Sequence, residues 1–336
     1  MTVREHATVP DMDGVPVIDG QAFVASTDIL SPTFVRAIAE HTHQWMEAQG
    51  LPVPKARVHA ACEAQFNDPY CDALVGQMDD AGIARSVLML PDFTFALRDA
   101  RLSIAEMIER HRAIRDRHPG RFHVMFGVDP RWGRDSADLF ERSLDAHGFD
   151  GMKLYPPCGV HPGDRALWPF YEICRDRGLP VSVHTGGTAS ALQLDLSHPR
   201  MVEEPSRLFP GVDFIISHAS NCYSDEAVML CTSRPNVYLD ISAYAAQPMR
   251  RVNALMEYGI GHKIVFATDW PSFRGQGPQA QLLRALSKPG GPKELLRDFE
   301  WKRFMGGTMA SLLAKRVAAP AGAPSPVPAG AAAVEA

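Results

Sequence analysis

The stretch Leu179-Pro180-Val181-Ser182-Val183-His184-Thr185-Gly186-Gly187-Thr188 decides the fold. Val181 and Val183 are β-branched and Pro180 suits the first residue of a strand, so we predict a buried strand that ends at His184. The same arrangement recurs in residues 214–218 (FIISH) and residues 264–269 (IVFATD). Three apolar strands are therefore predicted, each ending in an ionisable residue.

The rest of the chain repeats this unit. Short, continuously apolar runs are typical of parallel strands that are buried on both faces, and helical patterns separate them. The runs are residues 15–18, 86–91, 122–128, 151–155, 181–184, 214–218, 237–242 and 264–269. Eight β/α units in about 300 residues predict a (β/α)8 barrel, with a doubly wound open sheet as the alternative. The active site of such a barrel lies at the carboxyl ends of its strands.

The domain organisation follows from the segments that do not fit this alternation of strands and helices. Residues 24–70 contain a helical pattern at 34–49 and a proline-rich passage, and we expect them to form an insertion that caps one face of a barrel spanning residues 15–316. Residues 1–14 are expected to be flexible. Residues 317–336 are rich in alanine and proline, and we expect a disordered tail.

Composition excludes several classes of protein. The 336 residues are 46% hydrophobic and 22% charged with a formal net charge of -5, which is typical of a globular protein and unlike a nucleic-acid-binding one. No apolar run is long enough to span a membrane and no signal peptide is evident, so we expect a cytoplasmic protein with no membrane partner. The six cysteines contain no Cys-x-x-Cys pair and are expected to be reduced thiols.

Polar side chains follow most of the predicted strands. Burying an unpaired charge costs several kcal/mol, so these groups must pair with one another, bind a metal or meet a charged substrate. They are Asp19, Gln21, Asp92, Asp129, Lys153, Tyr155, His184, His218, Ser242 and Asp269. Asp92 and Asp129 are more simply interpreted as turn formers. Imidazole and carboxylate suit a zinc-type site or acid–base chemistry, so His184, His218, Asp269 and Lys153 are the predicted catalytic residues.

Several motifs in this order resemble the amidohydrolase superfamily, specifically the amidohydrolase-related branch that includes aminocarboxymuconate-semialdehyde decarboxylase-like enzymes. They are residues 78–83 (MDDAGI), 151–156 (GMKLYP), 184–186 (HTG), 217–218 (SH) and 267–271 (ATDWP), and the resemblance covers residues 15–313. It implies a (β/α)8 barrel with a divalent metal at its mouth. By position, His184 is similar to a metal-binding histidine, His218 to a histidine that assists water or substrate, and Asp269 to an aspartate that binds metal and carries a proton.

The first strand departs from that family. Where the family has Asp-x-His-x-His, this chain has Asp19-Gly20-Gln21-Ala22-Phe23, and its only His-x-His, residues 41–43, lies in a helical pattern where the two rings point apart. One hypothesis keeps a metal, zinc by preference, on His184, Asp269 and either His218 or His59. The other, which we favour, has no metal. In it Asp269 acts as general base, and His184, His218 and Lys153 polarise the substrate, with a hydrogen bond between His184 and Asp269 as its signature.

These observations predict an enzyme that acts on a small carbonyl or carboxylate compound. Hydrolysis of a C–N or C–O bond is the main hypothesis, decarboxylation of an aromatic or unsaturated acid by a lyase is the alternative, and a catalytically silent ligand-binding barrel is the third. Asp19, Gln21, Phe23, Tyr155 and Trp270 are expected to contact the substrate. A homodimer is compatible with the resemblance, and no nucleic-acid partner is expected.

Overall fold

The computed structural model describes residues 14–244, 248–272 and 279–316. Eight parallel strands form one sheet in the order β1-β4-β5-β6-β7-β8-β9-β10. Their bounds are β1 Ile18–Phe23, β4 Arg85–Leu90, β5 Phe122–Phe126, β6 Gly151–Leu154, β7 Val181–Val183, β8 Phe214–Ile216, β9 Val237–Asp240 and β10 Ile264–Val265. The backbone following β10 closes the sheet onto β1, because Asp269 N donates to Gln21 O at 2.9 Å and Phe23 N to Trp270 O at 2.8 Å. The predicted (β/α)8 barrel is confirmed.

Most of the helices cover the outside of the barrel. The longer ones are α1 Pro32–Ala48, α2 Lys55–Gln65, α3 Asp72–Ala81, α5 Ile104–Arg117, α6 Asp135–His147, α7 Trp168–Arg177, α9 Ser224–Ser233, α10 Met249–Glu257 and α11 Gln279–Ser287. Shorter ones are α4 Thr94–Leu97, α8 Glu203–Leu208, α12 Pro292–Leu295, α13 Asp298–Lys302 and α14 Thr308–Leu313. The main hydrophobic core packs apolar side chains of α3, α5, α6, α7, α9, α10 and α11 against the strands, as the layered architecture of a barrel requires, whereas α1 and α2 contribute to separate clusters.

The first strand begins at Ile18 and not at Val15, so this predicted boundary is wrong. Asp19 and Gln21 inside this strand are polar, and strands were predicted here from continuous apolar runs, so the pattern did not show its true extent. Asp19 and Gln21 therefore lie inside β1 rather than after it. Gly20 is required by a close approach, because a Cβ atom there would lie 2.4 Å from the Val265 side chain on the closing strand.

Residues 24–70 contain α1, α2 and a two-residue antiparallel pair, β2 Ala25–Ser26 with β3 Asn67–Asp68. The helix predicted at 34–49 is present as α1, and the Ser31 hydroxyl accepts from Phe34 N to cap it. An apolar cluster joins this segment, through Val35 and Phe66, to Phe93 and Tyr155 in the loops that follow β4 and β6. The segment thus lies over the carboxyl end of the barrel.

Other expectations from sequence have definite outcomes. Within the three described stretches, no helix combines the length and the apolarity that crossing a membrane demands. Five cysteines are free thiols: Cys71, Cys158, Cys174 and Cys231 are buried, and Cys222 is exposed. The segments expected to be flexible, residues 1–14 and 317–336, lie outside the described residues except for Gly14.

Candidate active site at the barrel mouth

Five strands deliver the polar side chains of the mouth. Lys153 lies within β6 and Gln21 within β1. His184 directly follows β7, His218 lies two residues after β8, and Asp269 lies four residues after β10. His218 and Asp269 have φ angles of 62° and 59°, a left-handed conformation that is rare for residues other than glycine. The Asp240 carboxylate accepts from His218 N at 2.9 Å and holds this backbone in place. Such backbone strain is concentrated at functional sites.

The lower layer of the mouth is centred on the Lys153 ammonium. Its Nζ donates to Gln21 Oε1 at 2.9 Å, to Ser182 Oγ at 3.1 Å and to Ser217 Oγ at 2.9 Å. An ammonium has three N–H donors, so all of them are satisfied. Because the charge is desolvated, the pKa of Lys153 falls to about 8, although the Asp240 and Asp269 carboxylates act in the opposite direction.

Gln21 connects this ammonium to Asp269 and to the layer that contains the two imidazole rings. Its Oε1 accepts from Lys153 and from Ser217 Oγ, and its Nε2 donates to Asp269 Oδ1 at 2.7 Å and to Ser242 Oγ at 3.1 Å. All four hydrogen-bonding positions of the amide are used. The orientation is fixed, because a reversed amide would place N–H groups against the ammonium.

Two imidazole rings form the upper layer. His184 Nε2 lies 3.1 Å from the Gly187 carbonyl, which only accepts, so the neutral ring accepts at Nδ1 from His218 Nε2 at 3.1 Å. His218 Nδ1 is 2.9 Å from Ser242 Oγ, which also bonds to the Asp240 carboxylate. Tyr155 stacks on the His184 ring at 4.0 Å. Burial, with smaller contributions from the charges of His218 and Lys153, lowers the pKa of His184 well below its usual value.

The five polar groups are all buried, and Gln21 and Lys153 are buried more deeply than His184, His218 and Asp269. His184, His218 and Asp269 retain 4%, 6% and 4% of their surface, whereas Gln21 retains 0% and Lys153 1%. Burial raises the pKa of Asp269, while His218, Gln21 and Lys153 partly oppose this shift. A carboxyl group with a raised pKa beside two imidazoles is an arrangement suited to proton transfer. Lys153 and Gln21 lie beneath it and position it.

We expect the buried charge of Lys153 to be visible in the pH dependence of stability. A lysine whose pKa is lower in the folded than in the unfolded state opposes folding while it is protonated, and this opposition disappears as the pH rises from about 8 to 10.5. The free energy of unfolding of the wild type should therefore rise, relative to Lys153→Met, by up to about 3 kcal/mol over this range. Urea denaturation of both proteins at several pH values measures the difference. Parallel pH curves would contradict the shifted pKa.

The remaining predicted site residues have other surroundings. The Asp19 carboxylate accepts from Thr268 N at 2.9 Å, from Thr268 Oγ1 at 2.6 Å and from Gln279 Nε2 at 3.1 Å, so it ties β1 to the closing segment. Burial raises the pKa of Asp19 to about 7. Phe23 packs in an apolar cluster with Ile18, and Trp270 packs against the main core. Substrate contacts of Asp19, Phe23 and Trp270 remain predictions.

Three residues of the network were missed from the sequence. Ser182 and Ser217 accept from Lys153, and Asp240 binds both the Ser242 hydroxyl and the His218 backbone. A signal was available for the two serines, because each is a small hydroxyl residue within or next to an apolar strand, one or two residues before a histidine. Asp240 is the last residue of β9 and lies inside the apolar run predicted at 237–242.

The donors at the mouth do not fit a divalent metal. Both ring nitrogens of His184 are hydrogen-bonded, one to Gly187 and one to His218. Gln21 donates its N–H group to Asp269, and the Gln21 side-chain oxygen already accepts from the Lys153 ammonium. A metal ligand needs a free lone pair, and a fixed positive charge repels a cation. In the described part of the chain, no group of three His, Cys, Asp or Glu side chains is arranged to hold a metal.

One detail of the metal hypothesis and one detail of the metal-free hypothesis are wrong. His59 lies 3.5 Å from Glu40 of α1 and not at the mouth, so it is not available as a ligand there. His184 bonds to His218 and Gly187, whereas Asp269 bonds to Gln21, so the expected hydrogen bond between His184 and Asp269 is absent from the described contacts. The His-x-His of residues 41–43 lies within α1, as predicted.

Known proteins resemble this chain in fold and, over a short stretch, in sequence. The 5-carboxyvanillate decarboxylase of Novosphingobium aromaticivorans, solved with manganese and 4-hydroxy-3-methoxy-5-nitrobenzoic acid, has a TM-score of 0.68 at 14% identity and covers 94% of this chain and 100% of its own. A dihydroxybenzoic acid decarboxylase from a Polaromonas species, solved with manganese and 2-nitroresorcinol, has a TM-score of 0.60 at 16% identity, covering 89% and 97%. These similarities show a shared fold.

Sequence comparison identifies the family. Protein fluG of Emericella nidulans is 37% identical over 62 residues, a match that spans 18% of this chain and only 7% of that protein. The sequence model of the family described as Amidohydrolase (Amidohydro_2) matches residues 35–302, which is most of the chain. The chain therefore belongs to the amidohydrolase family.

Proposed function

We propose that the protein is a lyase that decarboxylates a small aromatic or unsaturated carboxylic acid without a divalent metal. The Asp269 carboxyl donates a proton to the carbon atom that loses carbon dioxide, and His184 and His218 contact the acid at the mouth. Atoms and charge balance in this step. The carbon–carboxylate bond breaks and releases carbon dioxide, and the electron pair left on the carbon forms a C–H bond with the donated proton. Asp269 then regains a proton from water.

The observation that carries this proposal is the raised pKa of the buried Asp269 carboxyl beside the imidazole pair. A raised pKa favours the protonated form, which suits a proton donor better than a base that must take a proton from water. For this reason hydrolysis of a C–N or C–O bond, which the sequence favoured, is the weaker candidate. The Lys153 ammonium beneath the site supplies a fixed positive charge that stabilises a carboxylate above it.

Proteins of the same fold support the proposed decarboxylation. Two proteins with the same fold are described as decarboxylases of aromatic acids. Those structures contain manganese, whereas the mouth of this barrel contains the ammonium of Lys153 bound to Gln21. We therefore propose related chemistry with a different source of positive charge.

The proposal is tested by supplying hydroxybenzoates and unsaturated acids labelled with ¹³C at the carboxyl carbon to tag-free protein. We expect release of labelled carbon dioxide from at least one acid, at the same rate with and without EDTA. A parallel panel of amides, esters and lactones tests hydrolysis. Turnover of that panel alone, or activity lost to EDTA and restored by manganese, would contradict the proposal. Absence of turnover in both panels would favour a silent barrel.

A further inference from the structure

A second feature of the carboxyl end lies to one side of the histidine pair. It is a cleft of about 270 Å³, lined by side chains from the four loops that follow β4, β5, β6 and β7. Tyr155 separates it from the mouth, because the Tyr155 ring stacks on His184 and packs with Phe93 and Cys158 in one apolar cluster. We call it the rim cleft. It belongs to a different set of residues from the proposed reacting groups.

Arg131 makes more side-chain hydrogen bonds than Arg98 and Gln193, the other polar residues that line the rim cleft. Its Nε and Nη2 atoms donate to the two oxygens of Asp129 at 2.8 and 2.5 Å, and Nη2 also donates to Cys158 O at 2.8 Å. The guanidinium carbon lies 4.2 Å from the centre of the Phe95 ring. A guanidinium that is fixed on one edge and stacked on one face has a defined direction for its remaining N–H groups.

The remaining edge of Arg131 has no partner. Among the residues that the structure describes, nothing accepts a hydrogen bond from Nη1 or bonds to the side-chain amide of Gln193. Both nitrogens lie over Gly159, since a Cβ atom at that position would be 3.1 Å from Arg131 Nη1 and 3.2 Å from Gln193 Nε2. Gly159 also has a φ angle of 100°, which other residues rarely adopt. Two N–H donors therefore converge above a residue without a side chain.

The charges and walls of the rim cleft define what it would hold. Its lining side chains include two arginines, Arg98 and Arg131, and no acidic residue, while Asp129 beside it is already paired with Arg131. Phe95 and Pro157 supply flat apolar surfaces. Unpaired N–H donors on a positively charged lining favour a carboxylate, and flat walls favour a planar body.

We propose that the rim cleft binds a small carboxylic acid with a flat apolar body. The carboxylate accepts from Arg131 Nη1 and from the Gln193 amide, and the body of the acid packs against Phe95 and Pro157. This inference does not depend on the proposed decarboxylase activity, because none of its residues belongs to the imidazole pair or to the network beneath it. The cleft would hold an acid even in a protein whose mouth is inactive.

The experiment measures binding of sodium benzoate to the full chain by isothermal titration calorimetry, with benzamide as the neutral counterpart. We expect benzoate to bind and benzamide to bind at least about tenfold more weakly. Arg131→Gln and Gln193→Glu should each weaken benzoate binding by about tenfold or more, because the first removes a charged donor and the second introduces a repelling carboxylate. Arg131→Gln removes the ion pair with Asp129 and could disturb the loop after β5. Gln193 is exposed, so Gln193→Glu should fold in either case.

Matched controls separate this cleft from the mouth. Arg134→Gln removes a nearby exposed arginine that does not line the cleft and should change the affinity by less than about twofold. Asp269→Asn alters the mouth and therefore reports any benzoate that binds there and not in the rim cleft. Absence of benzoate binding, or binding that Gln193→Glu does not weaken, would overturn the proposal. Loss of binding in Asp269→Asn but not in Gln193→Glu would place the acid at the mouth and would also overturn it.

Discussion

Asp269→Asn should lower kcat for the acid that the protein decarboxylates by about 10³-fold while KM changes little. The asparagine retains an oxygen that can accept the 2.7 Å hydrogen bond from Gln21 Nε2, so the geometry of the mouth is preserved. Its amide, however, has no acidic proton to deliver to carbon. The loss therefore falls on the chemical step, and steady-state kinetics on the acid found in the labelled panel measure it.

The pH dependence distinguishes loss of a proton donor from general damage. If Asp269 donates the proton, the rate of the wild type should fall as the pH rises through the pKa of this carboxyl, because the protonated form is the active one. The residual activity of Asp269→Asn should lack this decline. Asp92→Asn is the matched control, since Asp92 is also buried after a barrel strand but its described hydrogen bonds are to Thr94, Asp129 and Trp132 in the loops after β4 and β5. A fall of less than tenfold in Asp269→Asn would remove Asp269 from the proposed mechanism.

Gln21→Leu should lower the free energy of unfolding by about 3–5 kcal/mol. Leucine fills a similar volume but leaves the Lys153 ammonium without one of its three acceptors and Asp269 without the Gln21 donor. Both groups are buried, so water cannot replace the missing hydrogen bonds without opening the barrel. Urea denaturation followed by circular dichroism measures the change.

A double variant tests whether these groups form one network. Adding Lys153→Met to Gln21→Leu removes the uncompensated charge, so the double variant should be more stable than the sum of the two single effects predicts. Gln44→Leu, an exposed change of the same chemistry on α1, should alter stability by less than about 0.5 kcal/mol. Additive effects, or a loss below about 1 kcal/mol in Gln21→Leu, would show that the network contributes little.

Much of the fold could be predicted because its signal is local. Continuous apolar strands alternating with helical patterns indicate parallel strands covered by helices, and eight such units close into a barrel. His184, His218 and Asp269 could be placed at the same end because each follows an apolar run. The continuation of β1 to Phe23 was missed because Asp19, Gly20 and Gln21 interrupt the apolar pattern inside the strand.

The partners of each group could not be predicted. Lys153 could be named as a site residue from the sequence, but its hydrogen bond to Gln21, 132 residues away in the chain, could not. The rim cleft was also not foreseen, because Phe95, Arg131, Gly159 and Gln193 belong to four separate loops whose convergence depends on the curvature of the sheet.

The sequence by itself determined the barrel, the end at which its chemistry lies and the loss of the two first-strand histidines. Only the tertiary structure decided that Gln21 turns its N–H groups to Asp269 and its oxygen to Lys153. The physical reason is barrel closure. It brings β1 against the segment that follows β10, across 248 residues of chain, and hydrogen bonds between such distant residues depend on strand register and side-chain direction, which no local pattern records.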